Sequence, residues 1–184
     1  MDRQTESDEG LMRQVSQGRR EVLGVLLRRY ATPLLTFLER MLGDRHRAEE
    51  LFQEVFLAVW TGRTSYDGAR PFRAWLFGIA LNKCRADLRR RRQQPVPAEA
   101  AQQVAAPADC SPVEAALTAE RVGLVAAALA ELPDVQRMVL TLRIWQGMSY
   151  AEIAAVIDRT ESTARSHMFH ALATVRSFLE RRLK

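Results

Sequence analysis

Apolar residues recur along almost the whole chain at intervals of three and four, with no stretch of strict alternation, so the periodicity is that of helices and not of strands. "SDEGLMRQVSQG" predicts a short helix that starts near Ser7 and stops at Gly18. A second helical stretch runs from about Arg20 to Leu42, and Pro33 is expected to kink or break it. "GDRHRAEELFQEVFLAVWTG" predicts a third helix, bracketed by Gly43 and Gly62 and capped by Asp44. On that helix Leu51, Phe52, Val55, Phe56 and Val59 share a buried face. Glu50, Gln53, Glu54 and Leu57 line the other side, an apolar residue among polar ones, which suits a protein-binding face and an ordinary solvated face about equally. The turn-rich "TGRTSYDGARP" follows as a loop, and its last residue, Pro71, suits the first turn of a fourth helix.

Beyond residue 92 the pattern lapses. "QQPVPAEAAQQVAAPADCSP" holds four prolines and no base, which reads as a linker. Helical spacing then resumes in four segments. "VEAALTAERVGLVAAALAEL" is followed by Pro133, which suits the start of "DVQRMVLTLRIWQG". "SYAEIAAVI" opens with Ser149 and carries Glu152 three residues later, a capping box. Asp158, Arg159 and Thr160 make a tight turn into a long final helix. The last pair has the proportions of a helix-turn-helix. On its second member Ala164, Met168, Ala171, Leu172, Val175 and Leu179 are expected to face the core. Thr163, Ser166, His167, His170 and Thr174 face out, with Arg165 at the boundary; short polar groups there suit a major groove. The fold expected is all-α: two small helical domains, 1–92 and 113–184, joined by a flexible linker over 93–112.

Charge adds a position to this outline. The chain of 184 residues has a formal net charge of +5. Residues 71–92 hold seven bases against one acid, Asp87, so the remainder sums to −1. A basic segment of this kind fits a polyanion and fits a solvated helix end equally well. Helical geometry brings Trp75, Gly78, Asn82, Arg85 and Arg89 onto one stripe, while Phe72, Leu76, Phe77, Ile79, Leu81, Cys84 and Leu88 point elsewhere. A ring that stacks, an amide that reads a base edge and guanidiniums that hold phosphates make this stripe a nucleic-acid platform, with Tyr66 adding a ring from the loop before it.

Several classes drop out. The two cysteines, Cys84 and Cys110, match no zinc spacing and no disulfide framework, so no metal is expected. No phosphate-binding loop and no nucleophile beside a base is present, so neither a catalytic site nor a cofactor is expected. The start, "MDRQTESDEG", is polar and acidic, and "GLVAAALA" is too short to cross a bilayer; a cytoplasmic protein without membrane insertion is expected. A helix-turn-helix regulator whose first domain senses a ligand, and a helical adaptor that binds only protein, stand beside the nucleic-acid reading.

The chain resembles bacterial sigma factors of the extracytoplasmic-function type at both ends. "AEELFQEVFLAVW" and "FRAWLFGIALNKCRADLRRRR" resemble that family's region two, and "LPDVQRMVLTLRIWQGMSYAEIAAVIDRTESTARSHMFHAL" resembles region four. The resemblance implies a factor, not an enzyme, that binds core RNA polymerase and directs initiation at minus-ten and minus-thirty-five elements. Glu50, Gln53, Glu54 and Leu57 would meet the coiled coil of the largest polymerase subunit, and region four its flap. Trp75, Asn82 and the bases Arg73, Lys83, Arg85 and Arg89 would face minus-ten DNA, with the loop at Tyr66 and Asp67 capturing an unstacked base. Thr163, Arg165, Ser166, His167, Phe169 and His170 would lie on minus-thirty-five DNA. Control by a separate anti-sigma protein is implied too. Arg159 and Asp158 depart from the family's turn, and His167 and His170 stand where arginine is common.

Overall fold

The structure, a computed structural model, describes residues 6–93 and 112–182, the stretch 112–119 by its backbone alone. Residues 94–111, which hold most of the expected linker and Cys110, lie outside the described residues. Eight α-helices and one short 3-10 turn make up the described chain, with no strand among its residues. The first four are α1 (Asp8–Ser16), α2 (Arg20–Leu42), α3 (Arg45–Thr61) and α4 (Phe72–Gln93). The others are α5 (Pro112–Ala130), α6 (Asp134–Ile144), α7 (Tyr150–Ile157) and α8 (Glu161–Arg182).

The helix ends are set by local chemistry. Ser7 Oγ accepts from Gly10 N at 3.1 Å, and Asp44 Oδ1 from Arg47 N at 3.0 Å, so each satisfies a first-turn N–H that the helix leaves open. Gly43 ends α2 in the left-handed region, φ 66°, where a side chain would be strained. Ser149 and Glu152 close both bonds of the capping box on α7. Asp158 takes φ 54° at the α7–α8 turn, a conformation an aspartate tolerates. Pro33 does not break its helix: α2 runs unbroken through it. Leu26, Leu34, Phe37, Leu38 and Met41 are all fully buried on either side, and their packing offsets the backbone bond that proline cannot donate.

In the first half, α1 to α4 pack around Leu26, Phe37, Leu51, Leu76 and Phe77, with the rings of Phe37 and Phe77 edge-on at 5.3 Å. Burying each such side chain stabilises the fold by about 1.5–3 kcal/mol. Glu9 Oε1 accepts from Phe72 N at 3.0 Å, so α1 caps the start of α4. In the second half Met138, Val139, Leu142, Ile153, Met168 and Ala171 form the core. Leu172 departs from expectation: it is 50% exposed, while Phe178 is buried. The buried stripe of α8 runs through Ala164, Met168, Ala171 and Phe178, and Leu172 lies one residue, and so about 100°, off it.

The halves meet along a seam in which α4 packs on α7 and α2 on α6. Arg137 donates to Met41 O at 2.9 Å, Gln146 Nε2 to Pro33 O at 3.0 Å, and Arg73 to the Gln146 carbonyl. The Arg40 guanidinium lies 3.8 Å from the centre of the Trp145 ring, and Arg92 pairs with Asp134 at 2.9 Å.

The hydrogen bond from Ser149 N holds the Glu152 carboxyl below its usual range, against a smaller upward effect of burial. Glu152 therefore contributes stability above its ordinary pKa and loses it as the pH falls through the depressed one. Ser149→Ala is expected to lower stability by about 1 kcal/mol at neutral pH. In urea titrations the gap between the parent chain and Glu152→Gln should narrow as the pH drops below about 4.

Candidate nucleic-acid interface

The seam between α3 and α4 is built on charge. Asp87 is the lone acid of the basic segment, and its side chain is only 1% exposed. Its Oδ1 accepts from Arg47 Nε and from Arg90 Nη2, each at 2.8 Å. Its Oδ2 meets Arg91 Nε at 2.9 Å as an ion pair whose angles do not make a hydrogen bond. Arg91 also reaches Asp44 Oδ2 at 3.0 Å. Burial pushes the Asp44 carboxyl up, but the bonds from Arg47 N and Arg91 outweigh it and hold it below the usual range. Burial likewise draws Arg47 down, and its bonds to Glu50 and Asp87 more than restore it. Two of the four consecutive arginines are thus tied into the fold, and Arg92 bridges to α6.

This seam sets the outward stripe of α4. Asn82, Arg85 and Arg89 are exposed, and neither Arg85 nor Arg89 makes an ion pair among the described residues. Trp75 is half-buried, its ring 5.0 Å from that of Tyr66 and 6.1 Å from that of Phe72. Between Trp75 and Asn82 stands Gly78, where an added Cβ would meet nothing within 4 Å, so a strand can approach the helix closely. Gly62 is tight instead: a Cβ there would lie 3.0 Å from Ala58 O and 3.9 Å from Trp75, which lets the loop pass under the indole. In that loop Tyr66 donates to Arg70 O at 2.6 Å, and Asp67 accepts from Ala69 N at 3.0 Å. Burial, with Glu9 and Asp67 adding to it, pushes the Tyr66 phenol up to about 12, so the hydroxyl remains a donor. The result is an aromatic step held rigid beside an amide and two open guanidiniums.

Two expected members of this surface are engaged elsewhere. Arg73 is half-buried in the seam between the halves, and Lys83 Nζ pairs with Glu54 Oε2 at 3.0 Å. On α3, Glu50 and Gln53 are exposed and Leu57 is 62% exposed, with its apolar end in solvent. Cys84, fully buried, has its thiol pushed up to about 12 by burial and by Asp87, which leaves it without thiolate character.

At the other end α7 and α8 form the helix-turn-helix. Ser166 and His170 are exposed, while Thr163 and His167 are half-buried. Thr160 caps α8 through Thr163 N at 3.2 Å. Arg165 is steadied from two sides, by Glu161 at 3.2 Å and by the Tyr150 ring, whose centre lies 4.5 Å away. Arg143 approaches the same ring at 5.0 Å. The sequence reading missed Tyr150, the first residue of α7, whose ring meets Arg165 only because α7 and α8 pack together. Phe169 is 70% exposed and lies with Leu172, 50% exposed, on the outer face of α8. No group of three metal-binding side chains occurs among the described residues, and none of their helices is long and apolar enough to cross a membrane.

Comparison with known proteins adds the following. Residues 26–94 match the family model Sigma-70 region 2, and residues 123–175 match Sigma-70, region 4. The chain is 32% identical to the ECF RNA polymerase sigma factor SigL of Mycobacterium tuberculosis over 82% of its own length and 85% of that protein. Its fold is similar to that of CnrH in complex with the cytosolic domain of CnrY, with a TM-score of 0.75, 28% identity, and 96% and 99% of the two chains covered. It is also similar to that of the sigma factor RpoE of Bartonella quintana in complex with the anti-sigma factor NepR, with a TM-score of 0.68, 23% identity, and 84% and 94% covered.

Asp87→Ala removes the buried carboxylate that three guanidiniums share, leaving Arg47 and Arg91 only their partly exposed partners. A loss of about 3 kcal/mol in urea unfolding is expected, with Asp87→Asn losing less because its amide oxygen still accepts.

Proposed function

Because this chain belongs to the extracytoplasmic-function group of sigma-70 factors, which direct transcription initiation by RNA polymerase, we propose that its two halves divide promoter recognition between them. Residues 1–92, as region two, dock on the largest-subunit coiled coil through Glu50, Gln53, Glu54 and Leu57 and hold the separated non-template strand of the minus-ten element. Residues 113–184, as region four, hold duplex DNA at the minus-thirty-five element and meet the polymerase flap.

One observation carries this reading: Asn82, Arg85 and Arg89 lie exposed on one stripe of α4, and the half-buried Trp75 at its start continues it into the Tyr66 turn. An unstacked base entering beside Tyr66 and Asp67 costs a few kcal/mol to extrude. Stacking returns roughly 1–3 kcal/mol per base, and phosphates on Arg85 and Arg89 add salt-dependent affinity. The balance is near even, so strand separation needs polymerase as well. Arg73 joins the strand only after it leaves the Gln146 carbonyl, and Lys83 only after it leaves Glu54. In the major groove Thr163, Ser166, His167 and His170 read base edges, Phe169 offers an apolar contact, and Arg165 arrives pre-oriented by Tyr150.

An anti-sigma protein is the proposed restraint. CnrH and its partner CnrY, and RpoE with NepR, are the structural relatives that support this. The exposed Leu57 and the face of α8 that carries Phe169 and Leu172 are the apolar surfaces such a partner covers.

Run-off transcription with core polymerase on a promoter library tests the assignment and yields both elements; no product from any template would refute it. Asn82→Ala, at an exposed position, is expected to weaken the non-template strand by about tenfold and to relax selection at one base. Leu57→Ala is expected to weaken core polymerase by about 1–2 kcal/mol in a binding titration.

A further inference from the structure

The two surfaces of region two share a counter-ion. Glu54, on the docking stripe of α3, sets one carboxylate oxygen 3.0 Å from Lys83 Nζ and the other 3.3 Å from Arg47 Nη2. Glu50, one turn earlier, meets Arg47 Nη1 at 2.6 Å. Lys83 follows Asn82 directly on α4. Arg85 and Arg89 on the same helix make no ion pair among the described residues, so Lys83 is the base beside the platform whose charge an acid of the docking stripe cancels.

Acidic groups on a docking surface are matched by bases on the partner. A polymerase base that approaches Glu54 competes with Lys83 for Oε2 and with Arg47 for Oε1. The Lys83 pair is half open to solvent, and pairs of that kind are weak and readily exchanged. The lysine stem has four rotatable carbons and a compact ammonium, so a released Lys83 swings into solvent beside Asn82, where a phosphate of the bound strand lies.

We infer that Glu54 is a charge-exchange link: in the free factor it holds Lys83 from DNA, and docking on polymerase transfers Glu54 to polymerase bases and frees Lys83 for a phosphate. The inference rests on the reading of α3 as the polymerase face and α4 as the DNA face. Its consequence is a factor that grips single-stranded promoter DNA more tightly inside the holoenzyme than alone.

The test measures fluorescence anisotropy of a labelled oligonucleotide carrying the non-template strand of the promoter selected above, against the full chain, free and bound to core polymerase, over a salt series. Glu54→Gln is expected to raise the affinity of the free chain about three- to tenfold. It should also steepen the dependence of log K on log salt by about 0.7, the increment for one phosphate on a single strand. In a Lys83→Met background Glu54→Gln should produce neither change. Glu49→Gln removes the same charge from an exposed position that pairs with Arg45, and should leave the slope unaltered. A gain that persists without Lys83, or that Glu49→Gln reproduces, is general charge removal and overturns the exchange. If Glu54→Gln binds like the parent while Lys83→Met still weakens the holoenzyme, the exchange is wrong and the two surfaces stand. If Lys83→Met leaves the holoenzyme's affinity and slope unchanged, Lys83 does not touch DNA, and the exchange falls together with that part of the DNA face.

Discussion

The buried carboxylate of Asp87 is the constraint from which the geometry of the first half follows. Without it, Arg47 of α3 and Arg90 and Arg91 of α4 would face one another across a packed seam with their charges opposed only at the rim. With it, each guanidinium has a carboxylate oxygen within 2.9 Å, and the contact ties the two helices to each other across the seam. Taking a carboxylate out of water is costly, and three cations around it are what offset that cost. The rotation of each helix matters because α3 and α4 carry different surfaces. A turn of either helix by one residue would swing Leu57 or Asn82 through about 100° and part the proposed docking stripe from the proposed strand-holding stripe.

Much of this architecture could be read from the order of residues. The helix boundaries follow from caps whose chemistry is local: Ser7, Asp44, Ser149 with Glu152, and the glycine at 43 all act within four residues of their own position. Where the reading failed, the cause was a partner distant along the chain. Pro33 is tolerated because residues from four other helices pack around α2. Leu172 is exposed because the neighbours of α8 cover a narrower stripe than apolar spacing alone implies. Within α4, the basic segment 71–92 suggested a polyanion site or a solvated helix end. The spacing of Asp87 from Arg90 and Arg91, three and four residues, already signalled that both have an internal acceptor.

The candidate surfaces were legible to a similar degree. Trp75, Asn82, Arg85 and Arg89 fall on one stripe by helical geometry, and they lie there. The pairing of Lys83 with Glu54 joins residues 29 positions apart, and that of Arg73 with the Gln146 carbonyl joins residues 73 apart. No periodicity records either, since both depend on how separate helices come to rest on one another. Tyr150 escaped notice for the same reason: its role beside Arg165 arises from the turn geometry at Asp158, not from any pattern in α7.

The joint between the two halves has a peculiarity in its acceptors. Arg137, Gln146 and Arg73 each donate across it to a main-chain carbonyl, of Met41, Pro33 and Gln146. A carbonyl offers the same lone pairs whatever side chain stands beside it, so those bonds do not depend on the side chains at residues 33 and 41. Parting the joint is equally undemanding. Water takes up a carbonyl as readily as a guanidinium or amide does, and separation there leaves no carboxylate abandoned in an apolar hollow. A joint held this way rests on the path of the main chain more than on the side chains carried at residues 33 and 41.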